Sequence, residues 1–471
     1  MAAPVKYLWT DAMVGERVGP EIPEEGDRSR PYSDLYWCPI ETVPLERLKE
    51  IQLDRLKFLL SFTYERSRFY RELWDSKKVR PSDVKSLEDL AKFPVVTKYD
   101  FEKDQAAHPP FGSAPTIAPN QALKFWQTSG TTARPRVWMD TRQDWENGLL
   151  LYTRSLYGHG VRPDWRGFFA FGFPPFIGFW LAFAATEAMG CQVVPKGTLP
   201  TAAWLQLMKN IAGTAPSFLC STPTFAIRQM EAAKELGINP ADLGMNILTL
   251  AAEPGACVPA TNRLLTQGWN AKIHDILGAT ETSGPILFSC RQQADMTPVS
   301  DHVNIDYFIV ELLDPDTLEP VSKGVPGVTC VTALGRSGIP AVRFLVGDYF
   351  HIDEHPDCPC GRKLPLAIGG AAGRADDVLF VKGIKLYPSL VETSVRSVPG
   401  LGVEYKLQKK GEQVVVLVEA EPNVPEKQYA QLALTLQRDI KLKAAVTLPI
   451  EIHPAGTFPR AEMKTPRIIK G

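Results

Sequence analysis

Thr128-Ser129-Gly130-Thr131-Thr132-Ala133-Arg134-Pro135 puts four hydroxyls, one glycine and an arginine into a tight run after the mostly apolar stretch 123–126. A loop of small residues lets backbone N–H groups turn towards one point, where hydroxyls add further donors, and that chemistry suits a polyphosphate. The run is not a Walker loop, because the Gly-Lys-Ser/Thr ending is absent. Taken alone it equally fits an ordinary Ser/Thr turn. Further on, Ile276-Leu277-Gly278-Ala279-Thr280-Glu281 places a carboxylate beside a hydroxyl at the end of an apolar segment. Such a pair can hold Mg²⁺ while the glycine leaves room for a ligand. Three more polar clusters are ordinary when taken singly: Arg343 to Asp348, Gly373-Arg374-Ala375-Asp376-Asp377 with Lys382 to Pro388, and Phe458 to Lys464. Of the eight cysteines only Cys358 and Cys360 are close in sequence, so metal binding is a better expectation than a disulfide framework.

These clusters need a scaffold, and 471 residues suggest two or three domains. Leu45, Leu48, Ile51, Leu56 and Leu59 recur at helical spacing, so residues 35–100 are predicted helical. From about 120 to 373, short apolar runs such as Phe218 to Cys220, Ile247 to Ala251 and Ile309 to Leu313 alternate with helical stretches, an α/β pattern. The small-residue stretch Gly369 to Gly373 predicts a boundary, giving a large domain over 1–373 and a small α+β domain over 374–471. In the latter Val414 to Val418 reads as a strand, Glu426 to Lys443 as a helix, Val446 to Ile452 as a strand, and everything from Thr457 on as loop. The uncharged segment Gly167 to Thr186 is broken by Pro174-Pro175, so it is expected to be a buried strand, turn and helix, not a membrane span. A net charge of -1 offers no field for nucleic acid or an anionic membrane. The first thirty residues lack the apolar core of a signal peptide, and a cytoplasmic protein is expected.

In their order and spacing these clusters resemble the core motifs of the adenylate-forming superfamily of acyl-CoA synthetases, peptide-synthetase adenylation domains and luciferases. The phenylacetate–CoA ligase family is the best match. The resemblance runs from Tyr36-Trp37 to Lys464 and includes Phe93-Pro94-Val95-Val96-Thr97-Lys98 and Ala252-Glu253-Pro254. It implies an ATP- and Mg²⁺-dependent ligase that adenylates a carboxylic acid, releases pyrophosphate and passes the acyl group to CoA. The implied fold is a large α/β domain followed by a small mobile α+β domain.

The resemblance also implies roles. The loop of Thr128, Ser129, Gly130, Thr131 and Thr132 would cradle the β- and γ-phosphates of ATP, and Glu281 with Thr280 would handle Mg²⁺ and the α-phosphate. Asp275 would meet the adenine amino group, and Asp348 the ribose hydroxyls. Arg374 would reach ribose or phosphate, Asp376 would be the hinge, and Lys464 would bridge the acid and the α-phosphate. Phe173, Phe176 and Phe179, with Ala251, Ala252 and Gly278 opposite, would line an acid pocket suited to an aryl or other hydrophobic acid. Cys290, His302, Cys358 and Cys360 would hold a structural Zn²⁺, with His351 and His355 as rival ligands. Homodimers occur in the family, and one is expected here. The chain departs from the family at Ala133-Arg134, where Gly-Lys is usual, and has Leu277 for Tyr, Met463 for Gly and Lys385 for Asn. These departures keep open an amide ligase that uses an amine or amino acid as acceptor. A non-catalytic nucleotide-binding homologue is a third reading, against which Lys464, Glu281 and Asp348 all stand.

Overall fold

A computed structural model describes residues 19–128, 136–381, 384–411, 413–460 and 467–470. Its centre is a nine-stranded mixed sheet. The strand order is Ile352–Asp353, Leu366–Ala367, Asp301–Val303, Gly284–Phe288, Lys272–Ala279, Met245–Leu250, Ser217–Ser221, Arg166–Phe169 and Gln192–Pro195. The last five are parallel to one another and the first four pair antiparallel. Ser217–Ser221 is buried at every position because both faces of the sheet are covered. That is why its sequence reads as an apolar run without alternation.

The helix Arg142–His159 crosses one face of this sheet and is buried on nearly all sides. Its polar groups are therefore paired: Arg154 meets Asp306 through two 3.0 Å contacts with both side chains fully buried. The uncharged segment resolves into the strand Arg166–Phe169, a loop and the helix Ile177–Ala188. Among the described residues no helix is long and apolar enough to cross a membrane. The predicted helical region forms two helices, Leu45–Arg66 and Arg68–Ser76, then short turns and the helix Lys98–Ala107. The large domain also has a three-stranded antiparallel sheet of Phe308–Leu313, Gly327–Ala333 and Phe344–Phe350, and a two-stranded hairpin, Lys124–Gln127 with Val137–Asp140.

The small domain has its own core around Leu407, Val416, Val418, Leu436 and Ile440. Its sheet runs Ile450–His453, Gln413–Ala420, Leu401–Lys410, Ile468–Lys470, with the helices Pro388–Ser397 and Tyr429–Ala444 packed on it. Two expectations need correction. The strand predicted from Val446 begins only at Ile450. The segment predicted as loop from Thr457 on ends in a strand, Ile468–Lys470, parallel to Leu407–Lys409. Three residues carry too little periodicity to announce a strand, and the open edge of a neighbouring strand supplies the pairing.

Candidate active site

The run expected to cradle phosphates follows Lys124–Gln127, which forms a hairpin with Val137–Asp140. At its base the Thr128 N–H donates to the Arg136 carbonyl at 3.1 Å, and the Arg136 N–H donates to Thr128 Oγ1 at 3.3 Å. Ser129, Gly130, Thr131 and Thr132 lie outside the described residues. The hairpin is fixed from below by Asp140, which accepts from Trp126 Nε1 at 2.6 Å and Ser283 Oγ at 2.9 Å and pairs with Arg336 at 2.7 Å. Burial pushes the Asp140 carboxyl up to about 6 although Arg336 pulls the other way.

Thr280 and Glu281 sit on a 3₁₀ turn, Thr280–Thr282, directly after the strand Lys272–Ala279. Arg336 Nη1 donates to the Thr280 carbonyl at 3.1 Å, so one buried guanidinium ties this turn to the hairpin through Asp140. Arg136 completes the link from above. Its guanidinium donates to Glu102 at 2.6 Å and to Glu281 at 3.3 Å, which leaves Glu281 beside the base of the phosphate loop. Reading the sequence did not single out Arg136, Asp140 or Arg336. Only the position of Arg136, one residue beyond the loop, could have marked it.

Asp348 lies on the strand Phe344–Phe350 and pairs with Arg374 at 3.6 Å, their backbones forming an antiparallel bridge. The two residues matched to ribose and phosphate contacts are thus neighbours. Asp275 is mid-strand, with a carboxyl that accepts from Cys257 Sγ at 3.7 Å and is pushed up to about 6 by burial. Asp301 also accepts from that thiol, at 3.5 Å, and its carboxyl is raised by burial and by Asp275. Asp376 belongs to the turn Ala375–Asp377, but its side chain, like Lys464, lies outside the description.

The residues expected to line an acid pocket sit at the carboxyl ends of the parallel strands, where open α/β sheets bind ligands. The loop after Arg166–Phe169 carries Phe171 stacked on Phe179 at 4.2 Å and Phe173 edge-on to Trp180 at 5.1 Å. Phe173 has φ +53 and Ala252 φ +78, uncommon values for side-chain-bearing residues and typical of functional loops. Ala251 and Ala252 follow Met245–Leu250, and Gly278 ends Lys272–Ala279. A Cβ at Gly278 would meet the Gly284 carbonyl at 2.8 Å, so glycine is required there by close backbone approach. The Gln127 N–H donates to the Pro175 carbonyl at 2.9 Å, joining the aromatic loop to the phosphate hairpin.

Cys290, His302, Cys358 and Cys360 are buried together, with one ligand atom from each lying within 4.8 Å of all the others. The Cys290 and Cys358 sulfurs are 3.7 Å apart, and Cys360 Sγ is 3.2 Å from His302 Nε2. His302 Nδ1 lies 3.3 Å from the Leu364 carbonyl, which leaves Nε2 facing the sulfurs. Hydrogen bonds with Cys290 and Cys358 pull the Cys360 thiol well below the usual range. His351 and His355 are not in this group.

A mixed α/β domain followed by a smaller α+β domain with its own core is the architecture of adenylate-forming ligases. The sequence profile described as "AMP-binding enzyme" matches residues 54–335, and that described as "AMP-binding enzyme C-terminal domain" matches 383–470, so the chain belongs to the AMP-binding enzyme family. Within it, the chain is 30% identical to the phenylacetate-coenzyme A ligase of Thermus thermophilus over 448 residues, 91% of this chain and 97% of that one. Among solved structures, 2-hydroxyisobutyryl-CoA ligase in its postadenylation state with an acyl-AMP superposes with a TM-score of 0.87 at 27% identity, covering 95% of this chain and 96% of that one. The same ligase in its thioesterification state, with acyl-AMP and CoA, gives 0.70 at 28% identity over 95% and 96%. Over equal coverage the chain thus superposes better on the postadenylation state of that ligase than on its thioesterification state.

Proposed function

We propose that the chain activates an apolar, aryl-type carboxylic acid as its acyl-adenylate and transfers the acyl group to CoA. The observation that carries this reading is the Gln127–Pro175 bond. It holds the aromatic loop 171–180 against the hairpin of the phosphate loop, so that an apolar acid and a nucleotide phosphate would share one cleft. Acid–CoA ligases matching nearly the whole length of the chain support the choice of acceptor.

In the first step a carboxylate oxygen of the acid attacks the α-phosphorus and pyrophosphate leaves. Glu281 would hold Mg²⁺, which offsets charge on the phosphates. Thr128 and the loop beyond it would orient them, and Lys464 would bridge acid and phosphate. In the second step the CoA thiolate attacks the acyl carbonyl and AMP departs. The small domain would turn about Asp376 between the steps, with the boundary near Gly373.

The donor set Cys290, His302, Cys358 and Cys360 fits Zn²⁺: three sulfurs and one imidazole fill a tetrahedron and leave no open position, so the ion would be structural. Metal analysis of the purified chain should return about one zinc per chain, and Cys358→Ser should lose it with a fall in Tm. A chain free of zinc, with Cys358→Ser equally stable, would remove the site.

The functional test is pyrophosphate release from ATP with phenylacetate, benzoate, 2-hydroxyisobutyrate and cyclic enoic acids, with CoA or pooled amino acids as acceptor. Acid-dependent release with consumption of CoA is the expected result. Consumption of an amino acid instead would make the chain an amide ligase, and no release with any acid would defeat the catalytic reading.

A further inference from the structure

The small domain rests on the large one through the helix Pro388–Ser397, which packs on Pro259–Trp269. At the centre of this contact Thr261 Oγ1 donates to Glu392 Oε1 at 2.5 Å, with both residues buried. A buried carboxylate that left Thr261 without another partner would be costly. Glu392 has alternatives on its own side. Arg396 Nη2 lies 3.8 Å from the same Oε1, and Tyr405 OH lies 3.5 Å from Oε2. The Arg396 side chain is largely buried and donates through Nη1 to the Val403 carbonyl at 2.7 Å. Its Nε and Nη2 make no hydrogen bond among the described residues. A carboxylate engaged across the domain boundary thus stands next to an under-used guanidinium on its own domain.

We infer that Glu392 is a positioning residue for the ligase reaction. Bonded to Thr261 it holds the small domain in the arrangement that makes the adenylate, and passed to Arg396 it releases that domain for acyl transfer. The inference rests on the two-step reading above. The chain superposes better on 2-hydroxyisobutyryl-CoA ligase with an acyl-AMP in its postadenylation state than on its thioesterification state, so the Thr261 bond belongs to an arrangement unlike the one for acyl transfer. Glu392 touches no reacting atom. Its effect is on which step the enzyme is arranged to perform, and it appears in the balance between the steps.

The test measures the two half-reactions separately: pyrophosphate release from ATP and phenylacetate without CoA, and thioester formation from CoA and chemically prepared phenylacetyl-adenylate. Thr261→Val removes only the donor, and should slow the first about tenfold, the value of one hydrogen bond to a charged group, while leaving the second equal or faster. Thr261→Ser should restore the wild-type balance. Arg396→Gln should do the opposite, slowing thioester formation and sparing pyrophosphate release, with Arg396→Lys intermediate. If Thr261→Val and Arg396→Gln slow both steps alike, or Thr261→Ser fails to rescue, Glu392 is a packing contact and the inference falls. A wild-type chain that performs neither step defeats the functional reading as well. One that performs both, with the balance unmoved in Thr261→Val, defeats the inference alone.

Discussion

The proposed nucleotide face of the large domain and the contact between the two domains are both built from polar residues, but on opposite plans. At the nucleotide face, Asp140, Arg336, Trp126 and Ser283 form a closed, buried network under the hairpin and the Thr280 turn. At the domain contact, isolated bonds cross the boundary: Thr261 to Glu392, Ser389 Oγ to the Ala372 carbonyl at 2.8 Å, Arg374 to Asp348, and Arg460 to Glu231 at 3.7 Å. A group that must hold reacting atoms still is best fixed by several partners at once, because losing any one leaves a buried charge exposed to the others. A surface that must separate in each cycle works with few bonds that have substitutes nearby.

The largest effect should come from breaking the closed network. Arg336→Met leaves Asp140 buried without its cation and should cost about 3–5 kcal/mol of stability, read by urea unfolding. A loss under about 1 kcal/mol would mean that the nucleotide face is as loosely held as the domain contact. Next, Lys464→Ala should lower acid-dependent pyrophosphate release by about 10²–10³-fold, in line with removal of one charged group from a transition state, with Tm unchanged. An equal fall in Tm would instead place Lys464 in the fold.

A smaller effect concerns pH. His159 and His274 stack at 4.4 Å in the core beside the nucleotide strands, and burial holds both below the usual histidine range, His274 at about 3. A neutral buried histidine stabilises the fold above its unfolded value of 6.5, and that stability is lost as pH falls from there towards 3. Asp140 and Asp275 have raised values of about 6 and act in reverse, adding stability as pH falls from 6 to 3.8. The two trends oppose each other in the wild type. His274→Gln removes one of them, so its stability relative to wild type should rise by roughly 1.4 kcal/mol per pH unit below 6.5. Urea midpoints at pH 6.5, 5.5 and 4.5 would show it, and a constant difference between the two proteins would contradict a buried neutral His274. The smallest effect is expected at the boundary. The Arg460–Glu231 pair is partly exposed and 3.7 Å long, so Glu231→Gln should change stability by less than about 1 kcal/mol. A larger loss by urea unfolding would show that the domain contact is as tightly built as the nucleotide face.

The hydroxyl loop, the Thr280-Glu281 pair and Asp348 were each ordinary as residues, and only their order along the chain, through the family resemblance, marked them as candidates, while Cys358 and Cys360 stood out by their closeness in sequence. The parallel strands were legible as well: Phe218 to Cys220 and Ile247 to Ala251 are apolar apart from Thr249, since both sides of the sheet are covered. Contacts between distant segments were not. Nothing near Arg336 in the chain announces Asp140, and nothing near Thr261 announces Glu392, which lies 131 positions away. Cys257 meets Asp275 and Asp301 only because a loop folds back over two strands. The final strand at Ile468–Lys470 depends likewise on an edge contributed by Leu401–Lys410. Residue types and their order set which chemistry is available and how the chain presents it. Which charges compensate one another, and which bonds cross the domain boundary, only the tertiary structure decided, because pairing energy depends on distance and burial, and neither is a property of neighbours in the chain.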